Sequence, residues 1–386
     1  TGGAIMSNPR PHLVLLGGDA GPSGVPRHIE QMCQALTNDP AQNYRITVIS
    51  EPDEGGYSFA KGLGVTHVGL PALSSSLNPF KVFKGWRALH GALRRDPPDV
   101  IWAQARLPVL LSRLLPRFGA PLLITFHGSP FLGRSRKSAR VMRAIETLLL
   151  RATAPLDIVF LSELDRQSFD GLPLARHRCH TIPNVASTLD FPPVAPSDDL
   201  RLVMTTRDSP QKNLDAAARI FGALPEKTCL TLLGTGTDSA ALKARFAKIL
   251  PPAALARVTF QGPVSDVTPE LRRAHGYLMT SHYEGMSLGA LEAFASGLPI
   301  FMPDIGGSRE ILSAHPLAAM IDPRDPIQAA GIMIPKLHSY QNDPIAHSNT
   351  ISAAYNAHFS PKVWSKQIKD LLESTISGQS QRRSLD

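Results

Sequence analysis

A chain of 386 residues that is 43% hydrophobic and 19% charged carries enough apolar surface for two ordinary domains, which excludes a disordered protein. Its longest apolar runs fall short of the roughly 18–20 residues of a membrane span, and three scattered cysteines, Cys33, Cys179 and Cys229, exclude a disulfide frame or a cysteine-rich zinc site. The net charge of +8 is uneven: residues 1–190 carry 21 Lys and Arg against 14 Asp and Glu, whereas residues 191–386 carry 19 against 18. A nucleic acid, an acidic membrane surface and a merely basic solvated surface all fit such a first half. TGGAIMSNPRP at the start has no apolar stretch of the kind an export signal needs, so the expected location is cytoplasmic.

In chain order, HLVLLGG (12–18) is a short apolar run ending in glycine, as a buried parallel strand does. GDAGPSGVPRHIEQMCQAL then reads as a glycine-rich loop entering a helix with Ile29, Met32, Cys33 and Leu36 on one face. Further strands are predicted at 46–50, 98–104, 121–127, 156–162 and 179–184, with a helical stretch at LPVLLSRLLPRF. LDFPPVAPSDD (189–199), rich in Pro, Ser and Asp, reads as a linker. Alternation restarts with strands at 200–207, 229–236, 256–262 and 275–281 and helices between them. Strands alternating with helices predict an α/β class with mostly parallel sheets in two Rossmann-like halves, with ligand outside the carboxyl ends of the strands. Residues 361–376 read as an amphipathic helix, and the Ser/Gln/Arg tail after it as disordered.

HYEGMSLGALEAFASGLPIFMPDIGGSREIL (282–312) carries the most chemistry. It reads as loop, helix from about Ser287, Gly-Leu-Pro stop and strand. The N–H groups of Met286, Ser287 and Leu288 with the helix dipole suit a phosphate. Glu284 and Glu292, with seven residues between them, place one carboxylate at the mouth of that site and one along the helix. Arg207 and Lys212, at a strand-to-helix junction in RDSPQKNLDAA, suit a diphosphate or a solvated surface equally well. His127 ends a strand before Gly-Ser-Pro and could donate a hydrogen bond to a sugar hydroxyl or a developing charge, or only satisfy local backbone. The loop GGDAGPSGVPRH is not a strict dinucleotide motif, and GTGTD (234–238) is one more glycine turn.

With these strings in hand, the chain resembles the retaining glycosyltransferases of family four. The resemblance rests on TTRDSPQKN, LLGTGTD, VTFQGPV and the paired-glutamate string in the second half, and on PSGVPRHIEQMCQAL and FHGS in the first. It implies a GT-B fold, two Rossmann-like domains facing each other across a cleft. These are an acceptor-binding domain at 8–190, on which the helix 361–376 packs back, and a nucleotide-sugar domain at 199–355. It further implies that Arg207 and Lys212 clamp the donor diphosphate, that Glu284 meets the sugar hydroxyls and that Glu292 meets the ribose. The backbone of Met286, Ser287 and Leu288 would meet the phosphates, with Gly24 and Gly234 beside the donor and Val264 beside the base. His127 would approach the donor sugar. TIPNVAS lacks the glycine usual after the residue corresponding to Asn184, so it is assigned no ligand.

The chain has no D-x-D, so neither metal nor cofactor is expected, and no carboxylate is evidently placed as a covalent nucleophile. The expectation is a metal-independent hexosyltransferase working with retention. Its partners would be a nucleotide-diphosphate sugar and a saccharide or lipid-linked acceptor for cell-surface polysaccharide, lipopolysaccharide or glycolipid, and no nucleic acid. GRSRKSARVMR (133–143), with five cations and no acid, and the leucines around Arg113 and Arg117 suggest a peripheral seat on an anionic membrane. A non-catalytic nucleotide- or nucleic-acid-binding protein on the same scaffold, or a GT-B phosphorylase or epimerase, are the alternatives.

Overall fold

The computed structural model describes residues 10–21, 23–38, 44–74, 78–187 and 199–383. By internal contacts the chain divides into two units, one of residues 1–182 with 362–386 and one of residues 183–361. The expected linker at 189–199 lies outside the described residues except for Asp199.

Among the described residues the first unit holds seven parallel strands: β1 (His12–Leu16), β2 (Arg45–Ser50), β3 (Thr66–Gly69), β4 (Val100–Ala103), β5 (Leu122–Phe126), β6 (Asp157–Phe160) and β7 (Arg178–Thr181). They lie in the order β3-β2-β1-β4-β5-β6-β7. All five residues of β1 are buried, as an unbroken apolar run demands when helices cover both faces of a sheet. The helix Gly24–Thr37 turns Ile29, Met32, Cys33 and Leu36 inward, the face read from its periodicity.

Among the described residues the second unit holds six parallel strands: β8 (Leu200–Thr205), β9 (Thr228–Leu233), β10 (Val258–Gly262), β11 (Gly276–Leu278), β12 (Ile300–Met302) and β13 (Ala319–Met320). Their order is β10-β9-β8-β11-β12-β13. Each sheet changes direction once, between β1 and β4 and between β8 and β11. Loops leave the sheet there on opposite sides and a crevice opens at the carboxyl ends. Gln104, after β4, and the loops after β8 and β11 lie at those two places.

Three segments depart from the expectations. β3 is a four-residue edge strand with no fully buried residue, too short and too mixed to show alternation. The helix Pro79–Arg95 starts on Asn78, whose side chain accepts from the N–H groups of Phe80 and Lys81, but Phe80 and Phe83 point outward and blur the apolar stripe. The tail read as disordered continues the last helix to Arg383. Apart from Gly378, the added turns contain no helix breaker.

That last helix, Pro361–Arg383, is built into the first unit. Trp364, Ile368, Leu371 and Leu372 are buried, and Thr375 Oγ1 donates to Asp157 Oδ2 at 3.2 Å. The same carboxylate accepts from Arg178 Nη2 at 2.6 Å and pairs with His180 Nε2 at 2.8 Å. Burial alone would push the Asp157 carboxyl up, but the bonds from His180 and Arg178 outweigh it and hold the group below its usual 3.8. A carboxyl lowered in the folded state adds stability above its unfolded pKa, and that stability is lost as pH falls through the folded value. Asp157→Asn should therefore lower the urea midpoint at pH 7 by an amount equivalent to about 1–3 kcal/mol. The difference from wild type should shrink below about pH 4; a difference unchanged at pH 3 would refute the assignment.

Candidate functional site

At the switch point of the second unit, the loop after β8 meets the loop after β11. Beyond β8 the chain makes a short 3-10 turn, Pro210–Lys212, and Asn213 takes a left-handed conformation (φ 51°) that redirects it into the helix Leu214–Gly222. Asparagine tolerates that region better than most residues. Beyond β11, Thr280 Oγ1 lies 3.0 and 3.1 Å from the carbonyls of Lys212 and Asn213. His282 N–H donates to the Gln211 carbonyl at 2.8 Å, and Gln211 Nε2 donates to the Tyr283 carbonyl at 2.9 Å. With the loops laced in this way, Lys212 Nζ lies 2.5 Å from Glu284 Oε1, which also accepts from Ser281 Oγ at 2.9 Å. Both side chains of the pair are mostly covered, 18% and 13% exposed. Arg207 is exposed and reaches Gln211 Oε1 only at 3.5 Å.

The helix that follows, Leu288–Ala295, is capped by Ser287, whose hydroxyl accepts from Ala290 N–H at 3.3 Å. Ser287 being the cap, the first-turn N–H groups belong to Leu288, Gly289 and Ala290, which shifts the expected set away from Met286. Met286 is instead buried, its carbonyl accepting from Asn184 Nδ2 at 2.9 Å. Gly289 lies on two hydroxyls at the ends of β8 and β11: a Cβ there would come within 2.1 Å of Thr205 Oγ1 and 2.5 Å of Tyr277 Oη. Those hydroxyls bond each other at 2.9 Å. Burial pushes the Tyr277 phenol up, and the negative charges of Glu292 and Glu284 push it the same way, so it stays a neutral hydroxyl. Glu292 is buried within the helix, at 6% exposure. The two carboxylates thus act on one buried tyrosine.

Glycines bring the remaining loops close. Gly306 (φ 46°) sits where a Cβ would fall 2.0 Å from the Glu284 carbonyl, and Gly307 N–H donates to the Gly285 carbonyl at 2.5 Å. Gly234 (φ 123°) passes the Thr206 carbonyl, which a Cβ would meet at 1.8 Å. Its N–H donates to the carbonyl of Gly262 at 2.7 Å. Val264, half-buried, follows two residues later.

In the first unit, Gly24 opens its helix with nothing within 4 Å of the point a Cβ would occupy, so internal crowding does not demand glycine there. His127 follows β5. Its Nε2 is 3.0 Å from Oε1 of Gln104, which follows β4. The His28 ring meets it edge-on at 4.9 Å between centroids, and Trp364 of the last helix meets His28 at 5.7 Å. Burial, then the neighbouring His28, holds His127 well below the usual histidine range. Of the basic residues named above, Arg113 pairs with Glu146 in the interior, Arg117 donates to the Pro155 and Ala154 carbonyls, and Arg143 to those of Ser168 and Asp170. Those three guanidinium groups are held by partners within the unit.

Thr205, Tyr277, Gln104 and Asn184 do not stand out in the sequence. Only the Pro-Asn turn of TIPNVAS offers a local signal, and the glycine missing after it argues against a ligand there. Among the described residues, no three His, Cys, Asp or Glu side chains cluster to hold a metal ion, and no helix is long and apolar enough to cross a membrane.

Residues 23–185 match the model of the glycosyl transferase 4-like domain, and residues 199–337 that of glycosyl transferases group 1. The chain is similar to a UDP-Gal:alpha-D-GlcNAc-diphosphoundecaprenol alpha-1,3-galactosyltransferase of Escherichia coli, with 24% identity over 261 residues. That match takes in 62% of this chain and spans 66% of the relative's length. Among solved structures, HepE of Anabaena in complex with UDP-glucose superposes with a TM-score of 0.73 at 16% identity, covering 94% of this chain and 99% of that one. A sucrose-phosphate synthase of Thermosynechococcus elongatus gives 0.76 at 16% identity over 96% and 100%. The lipopolysaccharide outer core galactosyltransferase WaaB gives 0.67 at 13% over 95% and 99%. With the two parallel sheets, these likenesses show a two-domain GT-B fold.

The Lys212–Glu284 contact makes a measurable prediction. Lys212→Ala leaves a mostly covered carboxylate with Ser281 as its remaining named donor and should cost about 1–3 kcal/mol in urea unfolding. The double variant Lys212→Ala/Glu284→Ala should cost clearly less than the two single variants added together. Additive costs would mean that the pair is not formed in solution.

Proposed function

The chain is a glycosyltransferase, its units carrying the 4-like and group 1 domains of that class, and from this premise we propose that it moves a hexose with retention from a nucleotide-diphosphate sugar to a saccharide or lipid-linked acceptor of cell-surface polysaccharide or lipopolysaccharide. The observation that carries the reading is the Lys212–Glu284 pair beside a capped helix start. A cation and helix N–H groups suit a diphosphate, and a carboxylate within hydrogen-bond reach of that cation suits the hydroxyls of the sugar next to it. Glu292, further along the same helix, suits the ribose. The UDP-glucose held by HepE and the lipid diphosphate named for the Escherichia coli relative support the choice of donor and acceptor.

In this reading the bond from the anomeric carbon to the diphosphate oxygen breaks and its electron pair leaves with the diphosphate. Lys212, Arg207 and the Leu288–Gly289 N–H groups offset the developing charge. The acceptor hydroxyl bonds to the anomeric carbon on the same face, and its proton passes to the departing phosphate oxygen. Because fixed protein charges carry this load, dialysis against EDTA should leave the rate unchanged. Glu284→Ala should abolish transfer, and product analysis by NMR should show the α-anomer. A β-product, or full activity in Glu284→Ala, would sink the reading. Gly24→Ala supplies an independent check: folding should be unaffected or slightly stabilised, while KM for the donor should rise if the diphosphate lies against that helix start.

A lipid-linked acceptor implies access to a membrane surface, and the helix Arg136–Ala152 offers one. Val141, Ile145 and Leu148 follow one another along its outer face, 58%, 44% and 68% exposed, with Lys137 and Arg140 beside them. Its one acid, Glu146, is buried on Arg113. We assign this face to an anionic bilayer. The protein should float with vesicles containing phosphatidylglycerol at low salt and not with phosphatidylcholine alone, and Ile145→Asp/Leu148→Asp should abolish flotation. Binding that survives the double change would place the contact elsewhere.

A further inference from the structure

We propose that Gln104 fixes the proton of His127 on Nε2, so that the ring offers its ligand a bare Nδ1, a hydrogen-bond acceptor. The proposal rests on the reading of His127 as a ligand-facing group and goes beyond it by assigning the direction of the bond and the residue that sets it.

The argument is one of which groups own protons. Gln104, 1% exposed, follows β4 at the point where the first sheet changes direction. Its Nε2 lies 3.2 Å from Met32 Sδ. A thioether has no proton to give, so the side of the amide facing it must be the NH2. The amide carbonyl is then the side facing His127 Nε2, at 3.0 Å. A carbonyl oxygen cannot donate, so the proton in that contact belongs to the imidazole. A neutral imidazole has one N–H, and with it on Nε2 the Nδ1 carries a lone pair. The ring is kept neutral by its burial and by the adjacent His28, whose edge-on packing against it is in turn backed by Trp364.

The consequence is chemical selectivity. A bare ring nitrogen attracts a hydroxyl, which has a proton to give, and repels a phosphate oxygen, which at neutral pH has none. His127 is therefore not a cation offsetting the diphosphate, nor a donor toward a sugar oxygen as its position in the sequence suggests. It selects a hydroxyl of the transferred sugar or of the acceptor, and Gln104 is the positioning residue behind that choice.

The test is the tautomer itself, read from two-bond nitrogen–proton couplings in protein labelled with 15N-histidine, with the His127 signals identified by their loss in His127→Asn. Wild type should show the Nε2–H form. Gln104→Glu, which still presents an acceptor, should keep it, whereas Gln104→Leu should lose it and give a mixture or the Nδ1–H form. Nδ1–H in wild type, or no change in Gln104→Leu with its fold intact by circular dichroism, would overturn the proposal. In kinetics, Gln104→Leu should lower kcat/KM about 10- to 100-fold and Gln104→Glu should recover most of it. Equal losses in both variants would mean that Gln104 acts through packing alone. Full transfer by His127→Ala would remove the ligand-facing role while leaving the coupling measurement to judge the tautomer, so the two failures are distinguishable.

Discussion

The site in the second unit depends on one charge pair. Lys212 and Glu284 come from loops after different strands, β8 and β11, 72 residues apart in the chain. They meet because those strands are neighbours at the place where the sheet changes direction. A backbone bond from His282 to Gln211 and a bond from the Gln211 side chain to the Tyr283 carbonyl hold the loops in register before the charges are considered. The pair is mostly covered, so the two charges stabilise each other, and Ser281 donates to Glu284. A ligand that engages both must exchange that contact for its own, which favours one carrying anionic and hydroxyl groups side by side.

Close approach is the second constraint. Gly289 lets the helix start rest on Thr205 and Tyr277, and Gly306 lets the chain cross the Glu284 carbonyl. At both points a side chain would have to occupy the same space as fixed protein atoms. The negative charges of Glu292 and Glu284 both raise the pKa of the buried Tyr277 hydroxyl, so two carboxylates that look independent along the chain bear on the same buried group.

Much of this was legible because it is local. The strand HLVLL, the inward face of Gly24–Thr37 and the cap at Ser287 each follow from period, burial and a hydroxyl one residue ahead of a helix. The paired-glutamate string also carried its own punctuation, since Gly297 (φ 75°) ends the helix where the sequence predicts a stop. What escaped was either short and exposed, as β3 is, or made by residues distant in sequence. Asn184 serves the site by holding a carbonyl 102 residues away, and Gln104 by standing between Met32 and His127. Asparagine or glutamine in a loop has no local signature for such a task. Charge is visible in a sequence, but the buried carboxylate and backbone carbonyls that occupy Arg113, Arg117 and Arg143 are not.

The last helix bears on how the molecule is made. The first unit is interrupted by the whole of residues 183–361 and is completed by residues 362–386. During synthesis the second unit has all of its residues in hand before the first does, although it begins later. Until Trp364 emerges, the side of His28 it covers stays open, and so does the apolar seat of Ile368 and Leu372. A growing chain must therefore carry a nearly finished sheet with one uncovered flank. That flank is where a nascent-chain chaperone has most to hold, and where a premature stop codon late in the message would injure the opening half of the protein rather than its end.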